Sequence, residues 1–144
     1  VAPYTGGGYM HATDDRTPVT FITRYYLDKI KRLCDAHGTK LLFVTAPSPV
    51  NHTMQRHNEV QALADALAVP YLDLNLNTEE LGIDWNLDTL DGGDHLNYTG
   101  CQKATAYLQR YMQTHYTLPD RRDDVRYEAW NKQAEEFEKL LPQP

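Results

Sequence analysis

The stretch KLLFVTA, residues 40–46, is closed by Pro47-Ser48-Pro49 and decides the fold class of this chain. Its apolar residues run without alternation, which is typical of a strand covered on both faces, as in a parallel sheet. A second such run, YLDLN at residues 71–75, begins directly after Pro70. Parallel strands need a crossover connection, which is usually a helix. The two runs therefore predict two parallel strands with a helix between them.

Helical periodicity surrounds these two runs. Apolar residues recur at spacings of three and four in four segments: residues 18–37, 53–68, 99–113 and 123–141. Thr17-Pro18 supplies a start signal for the first segment, and Gly38 supplies a stop signal. The order helix, strand, helix, strand is the signature of an α/β fold with right-handed crossovers.

Two strands are few for a sheet of this class, which usually has about five or six. Residues 1–16 are glycine-rich and aperiodic and are typical of a loop or arm. We therefore expect either further strands hidden in that arm or a chain that holds only part of its fold. An unpaired parallel edge also invites pairing with another chain, so a homo-oligomer through the exposed sheet edge is a further expectation.

Composition excludes some classes of function. A net charge of −6, from 14 basic and 20 acidic side chains, argues against a nucleic-acid-binding protein, which needs clustered Lys and Arg. No apolar run approaches the roughly 20 residues that cross a bilayer, so no membrane segment is expected in this chain. At 144 residues, the chain is one domain at most.

The long irregular stretch 76–98 is the candidate site. It follows the second predicted strand, and open α/β sheets bind ligands beyond the carboxyl ends of their strands. A histidine there can act as a general base if a carboxylate orients it, and both Asp91 and Asp94 lie close to His95. Asn97 or Thr99 can cap the helix that follows. Composition alone favours an ordinary surface loop or capping turn.

The run DGGDHLNYTG at residues 91–100, followed by KATAYL at 103–108, is similar to the last block of the SGNH (GDSL-type) hydrolases. It most resembles the bacterial branch that is often exported or membrane-anchored, which includes relatives of proteins that acylate or deacylate cell-wall polymers. The resemblance spans about residues 17–131 and includes LGIDWN at 81–86. It implies a three-layer α/β/α flavodoxin-like fold with a parallel sheet, and an extracellular or membrane-anchored location.

The resemblance also implies a division of the chain and a set of site residues. Residues 1–16 would be an arm or loop, 17–118 the C-terminal part of the hydrolase domain without its N-terminal strands, and 119–144 a helical extension. His95 would be the triad histidine. The family's usual aspartate position holds Gly92, so Asp91 and Asp94 both remain candidates, and we favour Asp91 because adjacent residues seldom point their side chains at each other. Trp85 and Asn97 are the candidate substrate-binding residues.

The family's nucleophile motif, a Gly-Asp-Ser turn, does not occur in the chain. Ser48 is the only serine, and its place between two prolines favours a turn residue. We therefore expect a serine esterase or acyltransferase for an O-acyl ester, especially an acetyl ester, of a carbohydrate or cell-wall polymer, present here without its nucleophile and inactive alone. The alternative is a catalytically inactive carbohydrate-binding or interaction module on a degenerate hydrolase fold.

No cofactor and no metal are expected. The family's chemistry needs neither, and the residues suggest no zinc motif. His52 and His57 are five apart, whereas a spacing of four places two ligands on one helical face.

Overall fold

The structure, a computed structural model, describes residues 2–141 and contains every helix and strand that the sequence predicts. These are α1 (Phe21–Ala36), β1 (Phe43–Thr45), α2 (Met54–Leu67), β2 (Tyr71–Asp73), α3 (Thr78–Leu81), α4 (Tyr98–His115) and α5 (Glu128–Leu140). Short 3-10 helices occupy Leu74–Asn77 and Val125–Tyr127. The predicted α/β class is confirmed, since the described residues form helices and a two-stranded parallel sheet.

The two strands pair in parallel, as predicted. Phe43 lies opposite Tyr71, Val44 opposite Leu72 and Thr45 opposite Asp73, and α2 forms the crossover. The expectation that both faces of β1 are covered is wrong for residues 2–141. Val44 is 40% exposed although its partner Leu72 is buried, because the described residues supply less apolar cover for β1 than for β2.

Threonine side chains fix where the first two long helices begin. The Thr20 hydroxyl accepts a hydrogen bond from the Thr23 amide, so α1 begins after Thr20. The sequence predicted a start after Thr17, three residues earlier. Thr53 caps α2 in the same way, by accepting from the Arg56 amide. Glu59 on α2 accepts from Arg24 on α1, which ties the two helices together.

The apolar stripe that predicted α1 does not become its buried face. Its members remain 45–65% exposed within the described residues: Ile22, Tyr26, Ile30 and Leu33. The half-buried positions of α1 are instead Leu27, Asp28, Lys31 and Cys34. Periodicity identified the helix correctly, but it did not identify the half-buried side.

The apolar core lies along α2, β2 and the turns after them, and it consists of Leu63, Ala64, Val69, Leu72, Leu74 and Leu81. Several polar side chains are equally buried, namely His52, Glu59, Asp73, Asn75, Asp88 and Thr89. Within residues 2–141, each buried side-chain nitrogen or oxygen has a hydrogen-bond partner. The polar groups just beyond β1 and β2 are therefore part of the folded interior.

The chain divides into two compact units between residues 108 and 109. The first unit holds the sheet and the loop at 82–97. The second holds the end of α4 and all of α5, and in it Asp124 caps the 3-10 helix by accepting from the Arg126 amide. Among the described helices, none combines the length and apolar character that a membrane span requires.

Candidate active site

A buried carboxylate anchors the loop that carries the candidate site. Asp88 accepts hydrogen bonds from the Asp84 amide at 2.7 Å, from the Thr99 hydroxyl at 2.9 Å and from Lys103 Nζ at 2.6 Å. Burial alone would raise the pKa of Asp88, but these donors, Lys103 foremost, hold it below its usual range. The loop is thereby tied to the first turns of α4.

Asn97 joins the same loop to the start of α4. Its Oδ1 accepts from the Gly100 amide at 3.1 Å and from the Thr99 hydroxyl at 2.8 Å, and its Nδ2 donates to the Leu87 carbonyl. The predicted capping role of Asn97 is confirmed. Its predicted contact with a substrate stays a prediction, and both polar atoms of its amide already bond within the loop.

Gly100 permits the close approach of the loop to α4. A Cβ at this position would lie 2.4 Å from the Asp88 carbonyl oxygen, which cannot retreat because it also accepts from the Asn97 amide. The glycine that follows the Asp/His box in the sequence is thus required by packing.

His95 pairs with Asp91 in a tight loop. His95 Nδ1 donates to Asp91 Oδ2 at 2.7 Å, and the His95 amide donates to Asp91 Oδ1, also at 2.7 Å. The chain can return so sharply because Gly92 and Gly93 adopt φ of +74° and +96°, which favour glycine. A bridge between Thr89 and Leu96 closes the loop. One carboxylate therefore holds both the backbone and the ring of His95.

Asp94 has a different position. Its Oδ2 lies 3.7 Å from His95 Nδ1, beyond hydrogen-bond distance, while its Oδ1 accepts from Asn51 Nδ2. Of the two aspartates that the sequence left open, the structure brings Asp91 to the ring.

Electrostatics stabilise the charged form of His95 relative to its neutral form. The hydrogen bond to Asp91 and the charges of Asp94 and Asp91 raise the pKa of His95, and the hydrogen bonds from His95 lower the pKa of Asp91. The Asp91 contact uses Nδ1, and the side chain of His95 is 68% exposed. That hydrogen bond does not use Nε2, the other nitrogen of the ring. This is the arrangement of a general base whose tautomer is fixed by a carboxylate.

Ser48 lies beside the loop, but its hydroxyl is engaged with backbone. Ser48 Oγ donates to the Asp94 carbonyl at 2.9 Å, with the Gly93 carbonyl at 3.3 Å, and accepts from the Asn51 amide at 3.3 Å. The hydroxyl thus braces the loop, and its proton is directed at carbonyl oxygens and not at an imidazole nitrogen.

A second carboxylate with histidines, which the sequence did not indicate, lies at the end of β2. Asp73 Oδ2 accepts from His52 Nε2 and from His57 Nδ1, each at 2.8 Å. The parallel register places Asp73 opposite Thr45, so the residues that follow β1 come alongside it. The available signal was an aspartate at the end of an apolar strand run, with two histidines after the neighbouring run.

Asn75 connects this buried cluster to the loop. Its Nδ2 donates to Asp73 Oδ1 at 2.8 Å, and its Oδ1 accepts from the Ser48 amide at 2.8 Å and from the Tyr9 hydroxyl at 3.0 Å. A continuous chain of hydrogen bonds therefore runs from Asp73 through Asn75 and Ser48 to the carbonyl of Asp94.

Trp85 lines a cleft of about 540 Å³ next to the loop. Two tyrosines of the N-terminal arm, Tyr4 and Tyr9, contact its ring edge to face, with centroids 6.0 Å away in both cases. The sequence named Trp85 as a substrate-binding residue but gave no role to the tyrosines. Their role depends on how the arm folds back, which no local pattern encodes.

A cation could also be held at the loop. Ligand atoms of Asp91, Asp94 and His95 all lie within 4.8 Å of one another. An ion there would have to replace the Asp91–His95 hydrogen bond, because Nδ1 cannot donate a proton and ligate a metal at once.

Comparisons of the chain with protein-family models, with curated proteins and with solved structures found no match.

Proposed function

We propose that the Asp91–His95 pair is the acid–base half of a serine esterase or acyltransferase site. The substrate would be an O-acyl ester, especially an acetyl ester, of a carbohydrate or cell-wall polymer. The observation that supports this proposal most is the 2.7 Å hydrogen bond from His95 Nδ1 to Asp91 on a side chain whose ring is exposed. The sequence resemblance of residues 91–108 to SGNH hydrolases supplies the reaction class, and with it the three-layer flavodoxin-like fold.

In this proposal, a serine outside these 144 residues attacks the acyl carbon. Its proton passes to His95 Nε2 as the bond between the serine oxygen and the acyl carbon forms. His95 then gives that proton to the departing alcohol. In the second half, His95 takes a proton from water, or from a sugar hydroxyl in a transfer reaction, as that oxygen attacks the acyl carbon. The bond to the serine oxygen then breaks, and His95 returns the proton to that oxygen. Asp91 orients the ring and stabilises its charged form throughout.

Ser48 is not the nucleophile in this scheme. An attacking serine must share its proton with the base, whereas the Ser48 hydroxyl donates to the carbonyls of Asp94 and Gly93. Without a nucleophile and the backbone donors that accompany it, most of the acceleration of acyl transfer has no source. Residues 1–144 alone should therefore be inactive.

The test compares residues 1–144 with the full product of the gene that encodes them, using p-nitrophenyl acetate and an acetylated polysaccharide. We expect hydrolysis only by the full product. His95→Ala should lower its kcat/KM by about 10²–10⁴-fold, since that is the usual contribution of general acid–base catalysis.

His37→Ala is the matched control, because His37 is an exposed histidine at the end of α1. It should leave the rate unchanged. Turnover by residues 1–144 that Ser48→Ala abolishes would contradict the assignment of the nucleophile. An in-frame stop codon directly before Val1 would contradict a nucleophilic serine encoded upstream, and it would favour the binding-module alternative.

A further inference from the structure

The N-terminal arm is fastened to the loop that carries His95. The Ala2 amide donates to the Leu90 carbonyl at 3.2 Å, and the Gly92 amide donates to the Ala2 carbonyl at 2.8 Å. The Tyr4 amide donates to the Trp85 carbonyl at 3.0 Å. Three backbone hydrogen bonds thus place the arm along the loop and bring the side chain of Tyr4 to it.

Tyr4 packs directly on the loop at Gly93, which lies two residues before His95 in the sequence. A Cβ on Gly93 would lie 2.9 Å from a ring carbon of Tyr4 and 2.7 Å from a ring carbon of Pro49. Gly93 therefore has to be glycine for this contact as well as for its positive φ. The Tyr4 ring thus lies against the loop and also lines the cleft.

Three aromatic rings form a corner in the cleft. The planes of Tyr4 and Tyr9 meet at 86°, those of Tyr4 and Trp85 at 70°, and those of Tyr9 and Trp85 at 82°. Each ring is only half-buried, so each retains an exposed part. The corner is rigid at one side because the Tyr9 hydroxyl donates to the buried Asn75.

The lining of the cleft is uncharged. Beside the three rings it comprises the hydroxyls of Thr5 and Thr78, the thioether of Met10, the peptides of Gly7 and Gly8, and the already bonded amide of Asn75. Its volume of about 540 Å³ lies within the usual range of small-molecule sites. A sugar ring matches such a lining, because its C–H faces pack on aromatic rings and its hydroxyls bond to uncharged polar groups. A carboxylate or phosphate on the ligand would find no lining cation.

We propose that this cleft is a binding subsite for a neutral pyranose ring, with Tyr4, Tyr9 and Trp85 as its aromatic walls. This inference rests on the proposed function in one respect only: the bound sugar is taken to be part of the ester that is presented to His95. Binding itself requires neither His95 nor a nucleophile.

The experiment uses the intrinsic fluorescence of Trp85. Trp130, the second tryptophan of the chain, is 71% exposed on α5, so Trp130→Phe leaves Trp85 as the only indole. This protein is titrated with three neutral hexasaccharides, cellohexaose, maltohexaose and chitohexaose, and with the anionic hexagalacturonate. At least one neutral sugar should change the fluorescence saturably, and hexagalacturonate should bind at least tenfold more weakly. Failure of all three neutral sugars, or equal binding of hexagalacturonate, would overturn the proposal.

Two variants locate the binding. Tyr4→Ala should weaken it about tenfold, equivalent to about 1.4 kcal/mol, whereas Tyr4→Phe keeps the ring and should bind normally. Thr5→Arg replaces an exposed lining residue with a bulky side chain that adds no indole. It should block the cleft without touching the core, which keeps the test valid if Tyr4→Ala does not fold. Unchanged binding in both would refute the location.

His95→Ala separates this inference from the proposed function. It should bind the sugar as the parent does, because His95 does not line the cleft. Sugar binding without esterase activity in the full gene product would support the cleft and refute the esterase. Esterase activity without sugar binding would refute the cleft alone.

Discussion

Two histidine–carboxylate arrangements lie at the same end of the sheet, with nearly equal hydrogen bonds and opposite surroundings. Asp73 accepts from His52 and His57 at 2.8 Å and is 1% exposed. Asp91 accepts from His95 at 2.7 Å, and their side chains are 41% and 68% exposed, respectively. The pair distance therefore does not distinguish structural from chemical histidines in this protein. Structural and chemical histidines are distinguished by their burial and by whether their other polar atoms already form hydrogen bonds.

Around Asp73, both carboxylate oxygens are engaged within the fold. Burial alone would raise its pKa, but the hydrogen bonds from His52 and Asn75 outweigh that effect and hold the pKa below the usual range. Asp91 needs no such compensation, because its charge remains hydrated. The buried arrangement should consequently matter for stability and the exposed one for proton transfer.

The largest expected effect is the loss of stability on removal of the buried carboxylate. Asp73→Ala leaves His52, His57 and Asn75 without their acceptor in a dry site, which should lower the free energy of unfolding by about 3–5 kcal/mol. Asp91→Ala is the matched variant at the exposed arrangement. It also loses two hydrogen bonds, but in a hydrated site, so it should lower the denaturation midpoint far less than Asp73→Ala does. Urea denaturation followed by circular dichroism measures both.

Equal destabilisation by Asp73→Ala and Asp91→Ala would remove the distinction between the two arrangements. If Asp73→Ala fails to fold, the distinction between the two arrangements is supported only if Asp91→Ala, prepared in parallel, folds normally.

A smaller effect is expected at Ser48, which connects the two arrangements. Its amide bonds to Asn75 and its hydroxyl to the Asp94 carbonyl. Ser48→Ala removes only the hydroxyl and should lower the free energy of unfolding by about 1 kcal/mol, the usual net worth of one such bond. Thr114→Ala deletes an exposed hydroxyl that bonds within α4, and it should lower the free energy of unfolding by less than Ser48→Ala does.

A fluorophosphonate probe measures the reactivity of the same serine. Mass spectrometry should find no adduct on residues 1–144, because the proton of Ser48 is directed at carbonyl oxygens. Stoichiometric labelling at Ser48 would show that it is a nucleophile and would contradict the role of a brace.

The sequence predicted those parts of the fold and site that depend on neighbouring residues. The two apolar runs predicted β1 and β2, and periodicity predicted the long helices, because each is a local pattern. Asn97 as a helix cap was equally local. The sequence placed both Asp91 and Asp94 close to His95 and left both open as its partner, and the hydrogen bond in the structure is to Asp91.

Features that depend on packing between distant segments could not be predicted in this way. The partners of Asp73 come from residues 16 and 21 positions earlier, and those of Trp85 come from an arm about 80 residues away. The burial of α1 could not be predicted either, because periodicity defines a stripe but not the element that covers it. In each of these cases, tertiary contacts and not local preferences decide the outcome.

The subtlest expected effect concerns the proton on His95, and it tests which aspartate controls the exposed arrangement. Carboxylates stabilise the charged imidazole, so the NMR titration midpoint of His95 should lie above its usual value near 6.5. Asp91→Asn removes the negative charge that is hydrogen-bonded to the ring, and it should lower the midpoint towards that value. Asp94→Asn removes only a nearby charge and should lower it less. The base works when neutral, so the acid limb of esterase activity should move to lower pH with the midpoint. A larger drop for Asp94→Asn would make Asp94 the partner.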